Sequence, residues 1–148
     1  MDAPVTWYGS THYLTMMLYD CMIWRERNLD GYVPHLANDW ENVEPNRWRF
    51  HIREGATFHN GEPINAETIK WNIERVKSRD DFMVSGQWQF VDKVELVDEY
   101  TLDIVTTTPD AYALYNLSFN GCEVLPPEYL QEVGEEEYAK NPVGSGPY

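Results

Sequence analysis

The chain shows three kinds of hydrophobic pattern, and each predicts a different element. In Arg47-Trp48-Arg49-Phe50-His51-Ile52-Arg53 apolar and basic residues alternate. Trp48, Phe50 and Ile52 fall on one face and the basic residues on the other, the period of a half-buried strand. Asp39-Trp40-Glu41-Asn42-Val43 is expected to pair with it antiparallel across a Glu44-Pro45-Asn46 turn, with Trp40 and Trp48 on one face of the hairpin. A second hairpin is predicted from Phe90–Val97 and Thr101–Thr107, joined at Asp98-Glu99-Tyr100. Helical spacing appears at Leu14, Met17, Leu18 and Cys21, predicting a helix over Thr11–Ile23 whose methionines fill core space. It appears again at Ile69, Ile73 and Val76, in a helix capped by Asn65, with Glu67 in its first turn, ending near Ser78. Pro109-Asp110 is expected to open a short helix through Leu117, and Pro126-Pro127 another to about Val133. Turns are marked at Asn28-Leu29-Asp30-Gly31, Glu54-Gly55 and Asn60-Gly61, and Ser78–Gly86 reads as an irregular loop. Hairpins interleaved with helices indicate an α+β fold, an antiparallel β-sheet with packed helices, and not a doubly wound parallel sheet.

Composition narrows the function classes. The chain has 148 residues, enough for one domain with a true core. It is 14% aromatic, unlike a disordered chain. With 25 acidic and 11 basic residues it carries a net charge of −14, which disfavours nucleic acid and anionic membrane as partners. The run Glu135-Glu136-Glu137 is expected to be a solvated helix start or loop. No apolar stretch approaches the ~20 residues of a membrane span. Met1-Asp2-Ala3-Pro4 lacks the basic start and apolar run of a signal peptide. Cys21 and Cys122 are the two cysteines. Sequence cannot show whether they come within bonding distance, and free, partly buried thiols are the expectation.

Catalytic and metal motifs are missing. Neither GxSxG nor HExxH occurs, nor a phosphate-binding glycine loop. Ser145 lies between glycines but beside prolines, without the strand–turn–helix of a nucleophile elbow. His12, His35, His51 and His59 have no ligand spacing, so no metal site and no cofactor is expected. An acidic hydrolase remains the enzymatic alternative, and it requires two carboxylates facing one deep cleft.

Five segments together carry a family resemblance. They are Leu18-Tyr19-Asp20; Pro34-His35-Leu36-Ala37-Asn38-Asp39-Trp40; the strand ending Ile52-Arg53-Glu54-Gly55-Ala56-Thr57-Phe58-His59-Asn60-Gly61 and leading to Asn65-Ala66-Glu67-Thr68; Val94–Thr107 with Asp98 and Thr101; and Asn141-Pro142-Val143-Gly144-Ser145-Gly146-Pro147-Tyr148. In this order and spacing they resemble family 5 extracellular solute-binding proteins, the dipeptide, oligopeptide and nickel receptors of ABC importers. Ile52 in place of leucine and Thr68-Ile69 in place of Asp-Val at the helix start are mild departures, and Ser145 stands where threonine is usual. The resemblance implies that residues 1–148 form a single subdomain of a larger two-lobed clamp that closes on its ligand. It implies a periplasmic or extracellular, cell-surface-associated protein without enzymatic activity. The implied partners are a small solute (a peptide first, an oligosaccharide or nickel as alternatives), the receptor's remaining lobes and the importer's membrane permease. A sugar-binding member would show Trp7, Trp24 and Trp88 exposed in one row. The motif residues look fold-making. Ligand contacts are expected instead from the loop after the long helix, at Arg79, Asp80 and Trp88, and from the strand before Pro126, at Asn120 and Cys122.

Overall fold

The structure, a computed structural model, describes residues 15–26, 31–82, 84–119 and 122–147. Among the described residues six strands form two antiparallel sheets. β1 (Ile23–Arg25) pairs with β2 (Tyr32–Pro34). β3 (Ala37–Glu44), β4 (Arg47–Ile52), β5 (Val91–Asp98) and β6 (Thr101–Thr106) make a four-stranded sheet in the order β3-β4-β6-β5. Both predicted hairpins are present, and β4 and β6 join them at the centre.

Register explains the two faces. Trp40, Phe50, Leu102 and Leu96 stand in one row across the four strands, and Asn42, Trp48, Ile104 and Val94 in the next. Trp40 and Trp48 therefore share the core face, both partly buried against the core cluster. On the opposite face Glu41, Arg49, Asp103 and Glu95 form a row of alternating charge, except that Asp103 and Glu95 are neighbours. Arg47 resolves that repulsion by donating from Nη1 to Glu95 (2.6 Å) and to Asp103 (2.9 Å). Arg49 donates to both oxygens of Asp103, from Nε at 2.7 Å and from Nη2 at 3.0 Å. The expected charged face balanced by acids is thus present. Asp103, 2% exposed, is covered by the two guanidiniums.

Helix α1 (Ala66–Ser78) covers the core face, burying Ile69, Ile73 and Val76 as its spacing predicts. Asn65 accepts from the Thr68 amide at 3.0 Å, and the Thr68 hydroxyl returns to the Asn65 amide, a reciprocal cap. The Ala66 amide donates to Glu99 O and so fixes the helix start on the β5–β6 turn. A turn of 3-10 helix, Ser85–Trp88, interrupts the expected loop and delivers Trp88 to the core. α2 (Ala113–Leu117) starts later than predicted because Asp110 heads a preceding turn, accepting from the Tyr112 amide at 2.8 Å. α3 (Pro127–Val133) and α4 (Glu135–Lys140) follow, divided by Gly134. The acidic run therefore begins a helix, where the dipole favours it.

The N-terminal expectation needs correction. Residues 15–18 are helical, but residues 11–14 and the Asn28–Asp30 turn lie outside the described residues. Beyond residue 18 the helix does not continue. Cys21, Met22 and Ile23 are buried in succession, which no single helical face allows. Leu36 and Ala37 amides donate to Cys21 O and Met22 O, holding that stretch extended. The free-thiol expectation also fails, because Cys21 and Cys122 form a disulfide, with Cα atoms 5.2 Å apart.

Candidate functional site

The residues expected to touch ligand do not form one site. Arg79, at the C-terminus of α1, is fully engaged. It donates to both oxygens of Asp81 (2.7 and 2.6 Å) and to Glu135 (2.6 and 3.2 Å). Its guanidinium lies over the Phe82 ring, as does that of Arg75, which is 3.0 Å from Glu135. These bonds raise the Arg79 pKa, and the Arg79 and Arg75 guanidiniums hold the Glu135 carboxyl below the usual range. The group bridges α1 to α4. Asp80 beside it is exposed. Trp88 is 2% exposed and packs near Phe90 in the core. Cys122 is bonded to Cys21, and Asn120 lies outside the described residues. The row of tryptophans expected of a sugar binder is not formed by the described pair, since Trp88 is buried and Trp24 meets His35 edge-on; Trp7 lies outside the described residues.

What the structure brings together instead are the family-like segments. Gly144 and Gly146 press against the backbone of residues 17 and 18. A Cβ at Gly144 would collide with Leu18 O and stand 2.7 Å from its carbonyl carbon. The Gly146 amide donates to Leu18 O at 3.0 Å. His59 holds the other side: its amide donates to Gly144 O at 2.9 Å, and its Nε2 lies 2.8 Å from Gly146 O. Gly61, with φ +89°, closes the turn that presents His59.

Beside this crossing lies a cleft of about 230 Å³ whose polar wall is Asp20, His35, Arg53, Thr57 and Ser145. His35 sits 3.3 Å from Asp20 Oδ1 through Nε2 and 3.2 Å from Cys21 O through Nδ1. Arg53 donates to Asn38 at 3.3 Å. The Ser145 Oγ is buried without a hydrogen-bond partner. Sequence reasoning passed over these residues because each lies in a segment that reads as fold-making. Only their convergence reveals a site.

A second buried polar group lies near the disulfide. Glu123, 5% exposed, accepts from the Thr15 hydroxyl at 3.0 Å through Oε1 and leaves Oε2 without a partner. Among the described residues no group of metal-ligating side chains is assembled, and no helix is long and apolar enough to cross a membrane.

Comparison with known proteins agrees with the convergence of these segments. The profile of bacterial extracellular solute-binding proteins, family 5 middle, matches residues 31–148. The chain belongs to this family. The glutathione-binding protein GsiB of Pectobacterium atrosepticum is 32% identical over 98 residues, which is 66% of this chain and 19% of that protein. Two solved structures share the fold across 99% of this chain. MoaA of A. tumefaciens R10, in complex with mannopinic acid, has a TM-score of 0.89 at 24% identity. The oligopeptide-binding AppA of Bacillus subtilis, in complex with a nonapeptide, has 0.85 at 21%. The chain spans 31% and 30% of those chains, so it corresponds to part of a family 5 protein.

Proposed function

We propose that the chain is a scaffold subdomain, residues 1–148, of a solute-binding receptor that serves an ABC importer and carries a peptide outside the cytoplasmic membrane. The observation that carries this reading is the fold match across 99% of this chain but only about a third of each solved neighbour. A module that supplies part of a clamp has partners in the receptor's remaining lobes and, through them, in the membrane permease. The disulfide supports a periplasmic or extracellular location, since such bonds persist in oxidising compartments. The chain contributes a minor part of the pocket wall, from Asp80 and the segment around Asn120 and Cys122, with Arg79 and Trp88 holding the first loop in place.

Calorimetric titration of the chain with tri- to pentapeptides, with mass spectrometry of the mixture, tests this. The expected result is no saturable micromolar binding by the chain alone and intact peptides afterwards. Micromolar binding would overturn the scaffold role, and cleaved peptides would overturn the non-enzymatic one.

A further inference from the structure

The Cys21–Cys122 bond joins two unequal partners. Cys21 is 1% exposed, and its segment is held without the bond. Val124 N–H donates to Asp20 O at 2.9 Å, Leu36 N–H to Cys21 O at 3.1 Å and Ala37 N–H to Met22 O at 2.8 Å. His35 Nδ1 adds a contact to Cys21 O at 3.2 Å. Cys122 is partly exposed, and its amide donates only within its own segment, to Phe119 O at 3.1 Å. Backbone bonding to other segments resumes at Val124, through Asp20, and at Leu125, which Asn72 holds from both sides. Among the described residues, the bonds that tie Cys122 and Glu123 to the rest of the fold are therefore the disulfide and one hydrogen bond, from the Thr15 hydroxyl to Glu123 Oε1.

That position is unfavourable for Glu123. The residue is 5% exposed, and its Oε2 is buried with no hydrogen-bond partner. A carboxyl oxygen in that state has lost its water without a replacement, and it regains water once the side chain turns outward. The covalent bond one residue away prevents this. The closed disulfide and the desolvated carboxyl are thus coupled: closing the bond buries Glu123, and opening it lets Glu123 hydrate. A disulfide that is costly to keep closed and is accessible from one side is of the labile kind.

We propose that the Cys21–Cys122 bond is a thiol-exchange site, opened at Cys122 by a small thiol, with Glu123 as the residue that favours opening. The attacking thiolate bonds to Cys122 Sγ, the S–S bond breaks, and Cys21 leaves as a thiolate that takes up a proton. Cys122 then carries the small thiol as a mixed disulfide. A second thiol removes it as the small disulfide, so two thiols are oxidised and Cys21 and Cys122 are both reduced. Attack falls on Cys122 because Cys21 is enclosed. Glu123 turns to solvent, while Cys21 stays in place on its backbone bonds. Where Cys122 forms pocket wall, exchange alters solute binding; that consequence rests on the proposed function, whereas the exchange itself does not.

The test is equilibration of the chain with 2-mercaptoethanol and its disulfide, followed by acid quench, mass spectrometry and amide hydrogen exchange. The mixed disulfide is expected on Cys122. The amides of Cys122 and Glu123 should lose protection while the four-stranded sheet keeps its own. Glu123→Gln keeps an acceptor for Thr15 and removes the charge, so at equal thiol the ratio of opened to closed chain should fall at least ~5-fold. The single-cysteine variants give a second measure. The Cys122 thiol in Cys21→Ser should alkylate with iodoacetamide at least ~10-fold faster than the Cys21 thiol in Cys122→Ser. The proposal is overturned by an adduct on Cys21, by opening only together with loss of sheet protection, by a Glu123→Gln chain that opens like the parent, or by equal alkylation of the two single variants. Because 2-mercaptoethanol is not a peptide, none of these outcomes bears on peptide binding by the receptor.

Discussion

Replacing both cysteines, as Cys21→Ser/Cys122→Ser, removes a covalent tie between the segment that enters β1 and the segment that enters α3. The bond closes a loop of 101 residues. The chain-entropy relation then gives about 16 cal/mol/K of entropy removed from the unfolded chain, or ~4.7 kcal/mol at 25 °C. Observed values scatter below this figure, and ~2–5 kcal/mol spans the usual cost for small secreted domains. At ~2.1 cal/mol/K per residue, the 148-residue chain unfolds with an entropy of ~0.3 kcal/mol/K near its midpoint. A loss of that size therefore lowers the midpoint by ~7–15 °C. The fold itself should survive, because Val124 N–H still donates to Asp20 O at 2.9 Å and Leu36 N–H to Cys21 O at 3.1 Å. The assay is a pair of thermal melts by circular dichroism, parent against variant, with a thiol-reactive dye counting free thiols in the native parent. Two reactive thiols in the unreduced parent would refute the pairing. A midpoint shift under ~3 °C would refute the loop-entropy argument.

Four further outcomes follow from side-chain geometry. Asn72 donates to Leu125 O at 2.8 Å and accepts from Leu125 N–H at 2.9 Å, so Asn72→Leu strands a buried peptide group and should cost ~2–3 kcal/mol in a denaturant titration. Gly144→Ala drives a Cβ into the Leu18 carbonyl and should cost ~3 kcal/mol or more, whereas Gly86→Ala, with open space around it, should be neutral or gain up to ~1 kcal/mol. Asp103 is held below the usual carboxylate range by Arg49 and Arg47, so its contribution is present above the unfolded carboxylate pKa and lost as pH falls through the lower folded value. Asp103→Asn should accordingly lower the melting temperature at pH 7, with the gap to the parent narrowing below about pH 4. Glu135→Gln should behave likewise, because Arg79 and Arg75 hold its carboxyl low.

The parts of the fold legible in the sequence are those whose signal is local. Alternation at Arg47–Arg53 gave the strand and its faces, and Asn65 before a periodic stripe gave the start of α1. The missed elements depend on distant partners. Ile23–Arg25 carries no alternation and becomes a strand because Tyr32–Pro34 pairs with it. Cys21 and Cys122 meet because Val124 and Asp20 are paired through backbone. Trp88 belonged to a loop by composition, yet a 3-10 turn carries it into the core. The cleft was hidden for the same reason: Asp20, His35, Arg53 and Ser145 are far apart in sequence, and no local pattern assembles them.

These long-range ties also decide which residues remain free to act on a ligand. Outside the sheet, the C-terminal segments are fastened to α1 and to the turns before it by individual side chains: His59 Nε2 on Gly146 O, Asn72 on Leu125, Glu62 on the amides of Glu128 and Tyr129, Arg79 on Glu135. A side chain already saturated in this way has no donor left for a solute, so altering it changes stability first. Arg79 is the clear case. Its planar fork is divided between two carboxylates, and a substitution there releases α4 before it alters any pocket. Asp80, next in sequence, is exposed and makes no such tie, so the two neighbours should separate in experiment. In the assembled receptor, Asp80→Ala should change solute affinity at constant melting temperature. Arg79→Ala should lower the melting temperature, with affinity changing only as far as the loop moves.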